Sequence, residues 1–265
     1  MKNTKKILAI LLSSVIVLSV AGCSKAATGT KTPTGNMPAA GTKAPAGNMA
    51  ATGTKTPAGN MDVVNGLKAF NAIVKAYPAN KAFQKETKHW GFKLPSGEKF
   101  EWTSDTSANK ADLAMVMLAD PLVKAGLDVS KLDKNEWLYA PAAKVEGIDL
   151  PNRIIKTANI SDKKEVTNGS EDALQKLINQ SPMILTENKE EKHFMLMVGD
   201  GNSVHWAQTL GKTDEDMEFV LKAEPLIKAG LDVKKLAGTG FKLEVAGKDN
   251  METKYDQLVK GFKLK

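Results

Sequence analysis

The sequence predicts an α+β fold that is written twice in tandem. Residues 120–132 recur almost unchanged at residues 224–236, a shift of 104 residues, and the match continues on both sides without a gap. Each copy combines apolar residues at helical spacing with short segments of alternating apolar and polar residues. The predicted order in each copy is a helix, a β-hairpin, further helices, a strand and a final helix. We place the first repeat at residues 62–165 and the second at residues 166–265.

The two copies agree at residues of very different chemistry. At the shift of 104 residues the matched pairs include His89 with His193, Trp102 with Trp206, and Asp112 with Asp216. This period is too long for a solenoid array and suits a pair of small domains of about 100 residues each.

The first predicted element of each copy is an amphipathic helix. It covers residues 64–76 in the first copy, where Phe70 and Ile73 lie at helical spacing, and residues 170–180 in the second. Ser170 is a residue type that favours the N-cap position of such a helix.

A β-hairpin follows the helix. Residues 88–94 alternate so that Trp90 and Phe92 share one face, and the partner strand at residues 100–103 places its aromatic side chains on the same side. Turns at residues 95–98 and 199–202 connect the two strands of each hairpin.

Residues 110–119 are then predicted to form a helix, because Leu113, Val116 and Met117 recur at helical spacing. The second copy keeps the pattern at Met217, Val220 and Leu221.

The recurring segment itself has a structural explanation. Asp120 followed by Pro121 suits an N-cap and the first helical position. Gly126 suits the left-handed residue that ends a helix, and Asp128 can cap the next turn. The alternative is a binding role for charged residues in the two copies, namely Lys124, Asp128, Lys228 and Asp232.

The charge of the chain argues against a nucleic-acid partner. Seven of the 37 basic residues precede residue 62, whereas all 30 acidic residues lie at or after it, so the rest of the chain carries 30 of each. A nucleic-acid-binding domain is expected to carry a basic excess. We therefore predict no nucleic-acid partner.

The first 22 residues have the pattern of an export signal. Three lysines lie within residues 1–6, and an apolar run of about 14 residues follows at residues 7–20. The run ends in Val20-Ala21-Gly22-Cys23, which resembles the lipobox of bacterial lipoproteins. The resemblance covers only this leader, and it implies cleavage before Cys23, a diacylglycerol and an N-acyl lipid on that residue, and anchoring in the cell membrane, or in the outer membrane of a diderm host. The alternatives are an ordinary signal peptide with an accidental cysteine or an uncleaved anchor, although Cys23 is the only cysteine of the chain.

Residues 23–61 are predicted to be a flexible tether behind the lipid. Three blocks of twelve residues or fewer repeat there, built mainly from Gly, Thr, Pro and Ala without aromatic or branched aliphatic residues. Such a composition cannot bury enough apolar surface to offset the entropy of ordering.

One group of side chains suggests a ligand site. His193 is predicted to lie on the outer face of the second hairpin, together with Met195, Met197 and His205, and a three-residue turn at 200–202 would place His205 opposite Met197. Imidazole and thioether groups on one surface suit copper or a haem iron. The alternative is that the other domain or an added strand or loop covers the two methionines.

Trp137 is a second candidate for a ligand contact. Polar residues flank it, so we expect partial exposure and a possible contact with sugar or wall polymer, although a place in the core is the competing interpretation. Apart from the lipid on Cys23, no cofactor is predicted.

No catalytic residue is predicted, because the chain carries no nucleophile-elbow, phosphate-loop, dinucleotide-binding or zinc-protease motif. The sequence therefore favours a membrane-anchored lipoprotein whose two domains form a non-enzymatic binding module for an extracellular ligand, polymer or protein. One alternative is a hydrolase of extracellular or cell-wall polymer that uses an acidic pair the sequence does not identify, drawn from residues such as Asp112, Asp120, Asp128 and Asp133. The other is the solute-binding lipoprotein of a transporter.

Overall fold

The computed structural model describes residues 58–107, 111–145, 147–160, 166, 169–247 and 254–264. The leader, Cys23 and the tether up to residue 57 lie outside this part of the chain, together with the predictions made for them. Residues 58–61, which we assigned to the tether, belong to the first helix. Within the described part, no helix has both the length and the apolar character needed to cross a membrane.

The fold is mostly β, so the α+β prediction is wrong. In the described residues, fourteen strands form three antiparallel sheets, and only four helices accompany them. The helices are α1 (Ala58–Ala76), α2 (Asp120–Lys124), α3 (Ala173–Gln180) and α4 (Ala223–Lys228). Short 3-10 turns occupy Pro78–Asn80, Val129–Lys131, Pro182–Ile184 and Val233–Lys235.

The two large sheets have six strands each and the same topology. The first contains β1 (Lys81–Gln84), β2 (His89–Lys93), β3 (Lys99–Thr103), β4 (Leu113–Leu118), β5 (Trp137–Ala140) and β8 (Arg153–Ala158), in the spatial order β1-β2-β3-β4-β8-β5. A separate hairpin pairs β6 (Ala143–Val145) with β7 (Ile148–Leu150). The second large sheet contains β9 (Leu185–Asn188), β10 (His193–Met197), β11 (Ser203–Ala207), β12 (Met217–Lys222), β13 (Phe241–Glu244) and β14 (Gln257–Phe262), in the order β9-β10-β11-β12-β14-β13.

The correction concerns mainly β4 and β12, which we predicted to be helices. Five of the six residues of β4 are buried, because this strand lies inside the sheet between β3 and β8 and is covered on both faces. A strand that is buried on both faces has a continuous apolar sequence, which also satisfies the helical spacing. The last described regular element of each repeat is likewise a strand, β8 or β14, where a helix was predicted.

The helices of the two repeats are exchanged across the molecule. Helix α1 of the first repeat packs on β9 and β11 of the second, and the indole nitrogen of Trp206 donates a hydrogen bond of 3.0 Å to the Gly66 carbonyl. The ring of Phe70 lies 5.7 Å from that of Trp102 and 5.2 Å from that of Trp206. Helix α3 of the second repeat packs in return against β3. One hydrophobic core therefore extends across both repeats.

The recurring segment lies where the two repeats meet. The backbone nitrogen of Asp128 donates to the Ala229 carbonyl and that of Asp232 donates to the Ala125 carbonyl, each over 2.8 Å. Gly126 lies directly against this contact. The two reciprocal hydrogen bonds make the segment an interface between the repeats.

The local predictions for this segment hold in part. Gly126 has a φ of 103° and Gly230 a φ of 101°, as expected for residues that end a helix. The side chain of Asp128 accepts a hydrogen bond from the Ser130 backbone and caps the following turn, as predicted. The N-cap of α2 is Ala119, because the helix begins one residue earlier than expected.

Matching lysines of β8 and β14 face the hairpin turn of the opposite repeat. Lys260 of β14 forms an ion pair with Glu98, whose side chain is fully buried in the first repeat's turn. Lys156 of β8 lies beside Gly199 in the second repeat's turn, but it pairs with Glu136 over 3.1 Å. The fold therefore places the two sheets in fixed contact and leaves their outer faces as the surfaces on which the repeats differ.

Candidate functional site

The outer face of the second sheet brings the predicted histidines and methionines together. Phe194 and Leu196 of β10 point into the core, so His193, Met195 and Met197 lie on the opposite face. This placement on the outer face agrees with the predicted strand alternation.

The register differs from the one that a turn at residues 200–202 would produce. The turn lies one residue earlier, at residues 199–201, because the Val198 nitrogen donates a hydrogen bond to the Asn202 carbonyl and these two residues pair. His205 therefore pairs with Met195, and Met197 pairs with Ser203. On the other side of β11, His205 pairs with Glu218 of β12.

His193 is held by the backbone. Its Nδ1 atom lies 2.7 Å from the Glu191 carbonyl, and its Nε2 atom lies 3.0 Å from the Glu215 carbonyl. His89 repeats this arrangement in the first repeat, with its nitrogens near the carbonyls of Thr87 and Ala111. The shared geometry gives these two histidines a structural role, namely joining loops to the start of a strand.

His205 has a different environment. Its side chain is only 9% exposed, and its Nε2 atom lies 2.8 Å from the Ser203 hydroxyl. Its Nδ1 atom lies 3.4 Å from a carboxylate oxygen of Glu218 and 3.9 Å from one of Glu191. Among the described residues no group forms a hydrogen bond with Nδ1. A buried imidazole nitrogen is thus aimed between two carboxylates.

Three carboxylates concentrate negative charge at this place. Burial alone would raise the pKa of Glu218, but its contact with His205 and the nearby charges of His205, His193 and Lys242 outweigh that effect and lower the pKa. The pKa of Glu244 is raised, first by burial and then by the charges of Glu191 and Glu218. Glu191 and Glu218 thus place negative charge beside Glu244, whose ionised form burial already disfavours.

The charged cluster opens into a cleft of about 410 Å³ on the sheet surface. Lys192 and Lys212 also line this cleft. A second, more apolar groove of about 320 Å³ is lined by Met195, Met197 and Tyr255. His205, Glu191 and Gln257 line both the cleft and the groove, so the charged and the apolar surface meet at these residues.

The cluster offers a donor set that fits a divalent metal ion. Glu191, His193 and Glu218 each offer one ligand atom, and these atoms lie within 4.8 Å of one another. Carboxylate and imidazole donors suit Zn²⁺ and similar divalent ions. The predicted copper or haem site rested on imidazole together with thioether groups, whereas Met195 and Met197 line the neighbouring groove. Glu218 and Glu191, which pair with the imidazole, are the donors that this cluster adds to the predicted histidines.

Trp137 does not belong to this site. It is 4% exposed, lies in the first sheet and faces the core, so the expected partial exposure is wrong. The ammonium group of Lys156 lies 5.7 Å from the centre of its ring. These contacts give Trp137 a packing role in the first repeat.

The first repeat lacks the same cluster at the matched positions. Glu101 stands where the second repeat has His205, and Ala114 stands where it has Glu218. The matching cleft of about 140 Å³ is lined by apolar residues such as Val116 and Leu138 together with charged ones such as Glu101 and Arg153. The two outer faces therefore share a backbone and differ in their chemistry.

Glu191, Glu218 and Glu244 were missed by the sequence analysis. Glu218 was placed on a predicted helix, where it has no relation to His205. Once residues 217–222 are assigned as a strand, alternation places Glu218 on the outer face beside β11, so the period of two was the missing signal.

The aspartates considered for hydrolysis all accept hydrogen bonds within the fold. Each accepts a hydrogen bond from a nearby nitrogen: Asp112 from Ile160, Asp120 from Asn152, Asp128 from Ser130 and Asp133 from Asn135. These hydrogen bonds give each of the four aspartates a structural role.

The chain matches no protein-family model, no curated protein and no solved structure.

Proposed function

We propose that this chain is an exported lipoprotein, anchored through Cys23, that carries a non-enzymatic binding module. The ligand contacts the outer face of the second sheet around His205. The observation that supports this assignment is the buried His205 nitrogen between Glu191 and Glu218, which has no counterpart at the matched positions of the first repeat. In this proposal the first repeat supports the fold and the second presents the ligand face.

The tether holds the binding module away from the membrane. A flexible chain of the length of residues 23–57 has a root-mean-square reach of about 30–40 Å. Its lysines would favour an anionic wall or membrane surface. The ligand is thus met outside the membrane, as an extracellular small molecule, ion, polymer or protein.

The two other functions have less support. A hydrolase needs two carboxylates free to act on one substrate, whereas the four candidate aspartates bind nearby nitrogens. A transporter's solute-binding protein closes two lobes about a hinge, whereas one core here joins both repeats through the exchanged helix α1. The fixed sheet face is a better match to a preformed binding surface.

The anchor is tested by Cys23→Ser. We expect this variant to lose metabolic labelling by palmitate and to leave the membrane fraction, because the lipid is attached to the Cys23 sulfur. A matched Ser24→Ala variant should keep both properties. Equal palmitate labelling of wild type and Cys23→Ser would contradict the proposal.

The ligand face is tested by giving the second repeat two residues of the first. The double variant Met197→Lys/Glu218→Ala carries the residues found at the matched positions 93 and 114, where this backbone already accepts them. Ligands that raise the wild-type melting temperature should no longer do so. Lys93→Met is the control in the first repeat and should bind normally, whereas unchanged binding by the double variant would contradict the assignment of this face.

A further inference from the structure

We infer that the second sheet holds a divalent transition-metal ion of the Zn²⁺ type between His205, Glu218 and Glu191. This inference rests on the proposed ligand face and names the class of ligand. The three donors lie on β11, on β12 and in the loop before β10, so three separate parts of the chain converge on one point.

The two distances from His205 are close to those between ligands of one ion. Two ligands bound at about 2.1 Å with a tetrahedral angle lie about 3.4 Å apart. The Nδ1 atom of His205 lies 3.4 Å from the Glu218 oxygen and 3.9 Å from the Glu191 oxygen. A direct hydrogen bond from the imidazole would bring it closer, to about 2.7–2.9 Å, and would need a geometry that Nδ1 does not have.

The orientation of His205 also fits a ligand role. Its Nε2 atom is held by the Ser203 hydroxyl at 2.8 Å, and a hydroxyl that accepts from Nε2–H leaves the lone pair on Nδ1. Metal-binding histidines are commonly fixed in this way through their second ring nitrogen. The ring of His205 is over nine-tenths buried, so its orientation is also restricted by packing.

His193 completes the surroundings of the site. Its ring centre lies 6.5 Å from that of His205, and one of its ring nitrogens lies within 4.8 Å of the Glu191 and Glu218 donors. Both of its nitrogens face backbone carbonyls, so His193 holds the loop that carries Glu191 and is not assigned as a ligand. Three protein ligands then leave a coordination position open toward the cleft, as in zinc sites that bind a water or a substrate.

The test is a zinc titration of the untagged full chain, with Cys23→Ser in every sample so that no thiol competes. Equilibrium dialysis against Zn²⁺ should show one ion per chain. Glu218→Gln and His205→Gln should each lower the affinity by at least about tenfold. Glu101→Gln, at the position that matches His205 in the first repeat, should bind as tightly as the parent. Circular dichroism checks that all variants are folded.

The outcomes separate this inference from the proposed function. Saturable binding of one ion that both variants lose supports the metal site. The metal site is overturned if zinc binding is not saturable or if all variants bind zinc equally well. It is also overturned if Ca²⁺ displaces Zn²⁺ and binding is lost in Glu218→Gln but not in His205→Gln.

The proposed ligand face is tested separately, in the presence of EDTA. A ligand that binds the wild type there but not Met197→Lys/Glu218→Ala would leave the ligand face intact even without a metal site. A ligand that binds both proteins equally would count against the proposed function.

Discussion

Replacing Gly126 with alanine is expected to destabilise the protein by about 2–5 kcal/mol. A Cβ atom at this position would lie 2.8 Å from the Gly230 carbonyl oxygen, in the contact between the repeats. The left-handed conformation costs about 1–2 kcal/mol for a residue with a Cβ, and overpacking adds about 1–3 kcal/mol. Urea unfolding of the full chain, followed by circular dichroism, measures the difference.

Gly97 provides a closely matched control for this experiment. Its φ of 101° differs little from the 103° of Gly126, but a Cβ added there would meet nothing within 4 Å. Gly97→Ala therefore reports the conformational term alone, at about 1–2 kcal/mol. Gly230→Ala should behave like Gly126→Ala because its Cβ would lie 2.9 Å from the Gly126 carbonyl oxygen. Equal losses for Gly97→Ala and Gly126→Ala would show that the repeats do not meet at these glycines.

The second large effect is expected for Lys260→Met, which should cost about 3–5 kcal/mol of unfolding free energy. The Glu98 side chain is fully buried, the Lys260 side chain is 9% exposed, and the two form an ion pair between the repeats. Methionine keeps the apolar part of the side chain but leaves the Glu98 carboxylate buried without its cation. The same urea measurement quantifies the loss.

The double variant Glu98→Gln/Lys260→Met separates the ion pair from general packing. It should recover most of the stability, because removing both charges leaves no uncompensated carboxylate in the core. Lys228→Met breaks an exposed pair with Glu224 on α4 and should change the stability by about 0.5 kcal/mol or less. If Lys260→Met were as mild as Lys228→Met, the buried contact between the repeats would be refuted.

The sequence predicts the hairpins better than the interior strands. In β2 and β3 one face is aromatic and the other is polar, so alternation identifies them and places Trp90 beside Trp102. Strand β4 has no polar face to mark the period, and in β12 the outward Glu218 and Lys222 are separated by the apolar Val220, so the apolar residues of both strands satisfy the helical spacing equally well. The number of strands, and with it the fold class, depended on these interior segments.

The contacts between the repeats could not be predicted from the sequence, for a different reason. The φ of Gly126 follows from its place at the end of a helix. Its contact with Gly230, in contrast, depends on how the two sheets pack against each other, which local sequence does not encode. Trp137 shows the same limit at one residue. Its polar neighbours suggested exposure, although β5 turns Trp137 toward the core and Leu138 toward the outer face.

Only the histidines and methionines of the candidate site could be predicted from the sequence. The outward placement of His193, Met195 and His205 follows from the alternation of the hairpin. The carboxylates come from a loop and from the neighbouring strand β12, so their approach to His205 depends on sheet order and register. These are global properties that a single hairpin does not encode.

The most direct measurement of the central claim is an anomalous difference map recorded at the zinc absorption edge, from crystals of the full chain grown with Zn²⁺. We predict one peak on the outer face of the second sheet, within bonding distance of His205 Nδ1 and the Glu218 carboxylate, and no peak beside Glu101 on the first sheet. A peak beside Glu101, or none near His205 at saturating Zn²⁺, would contradict the assignment of the second repeat as the ligand-binding half.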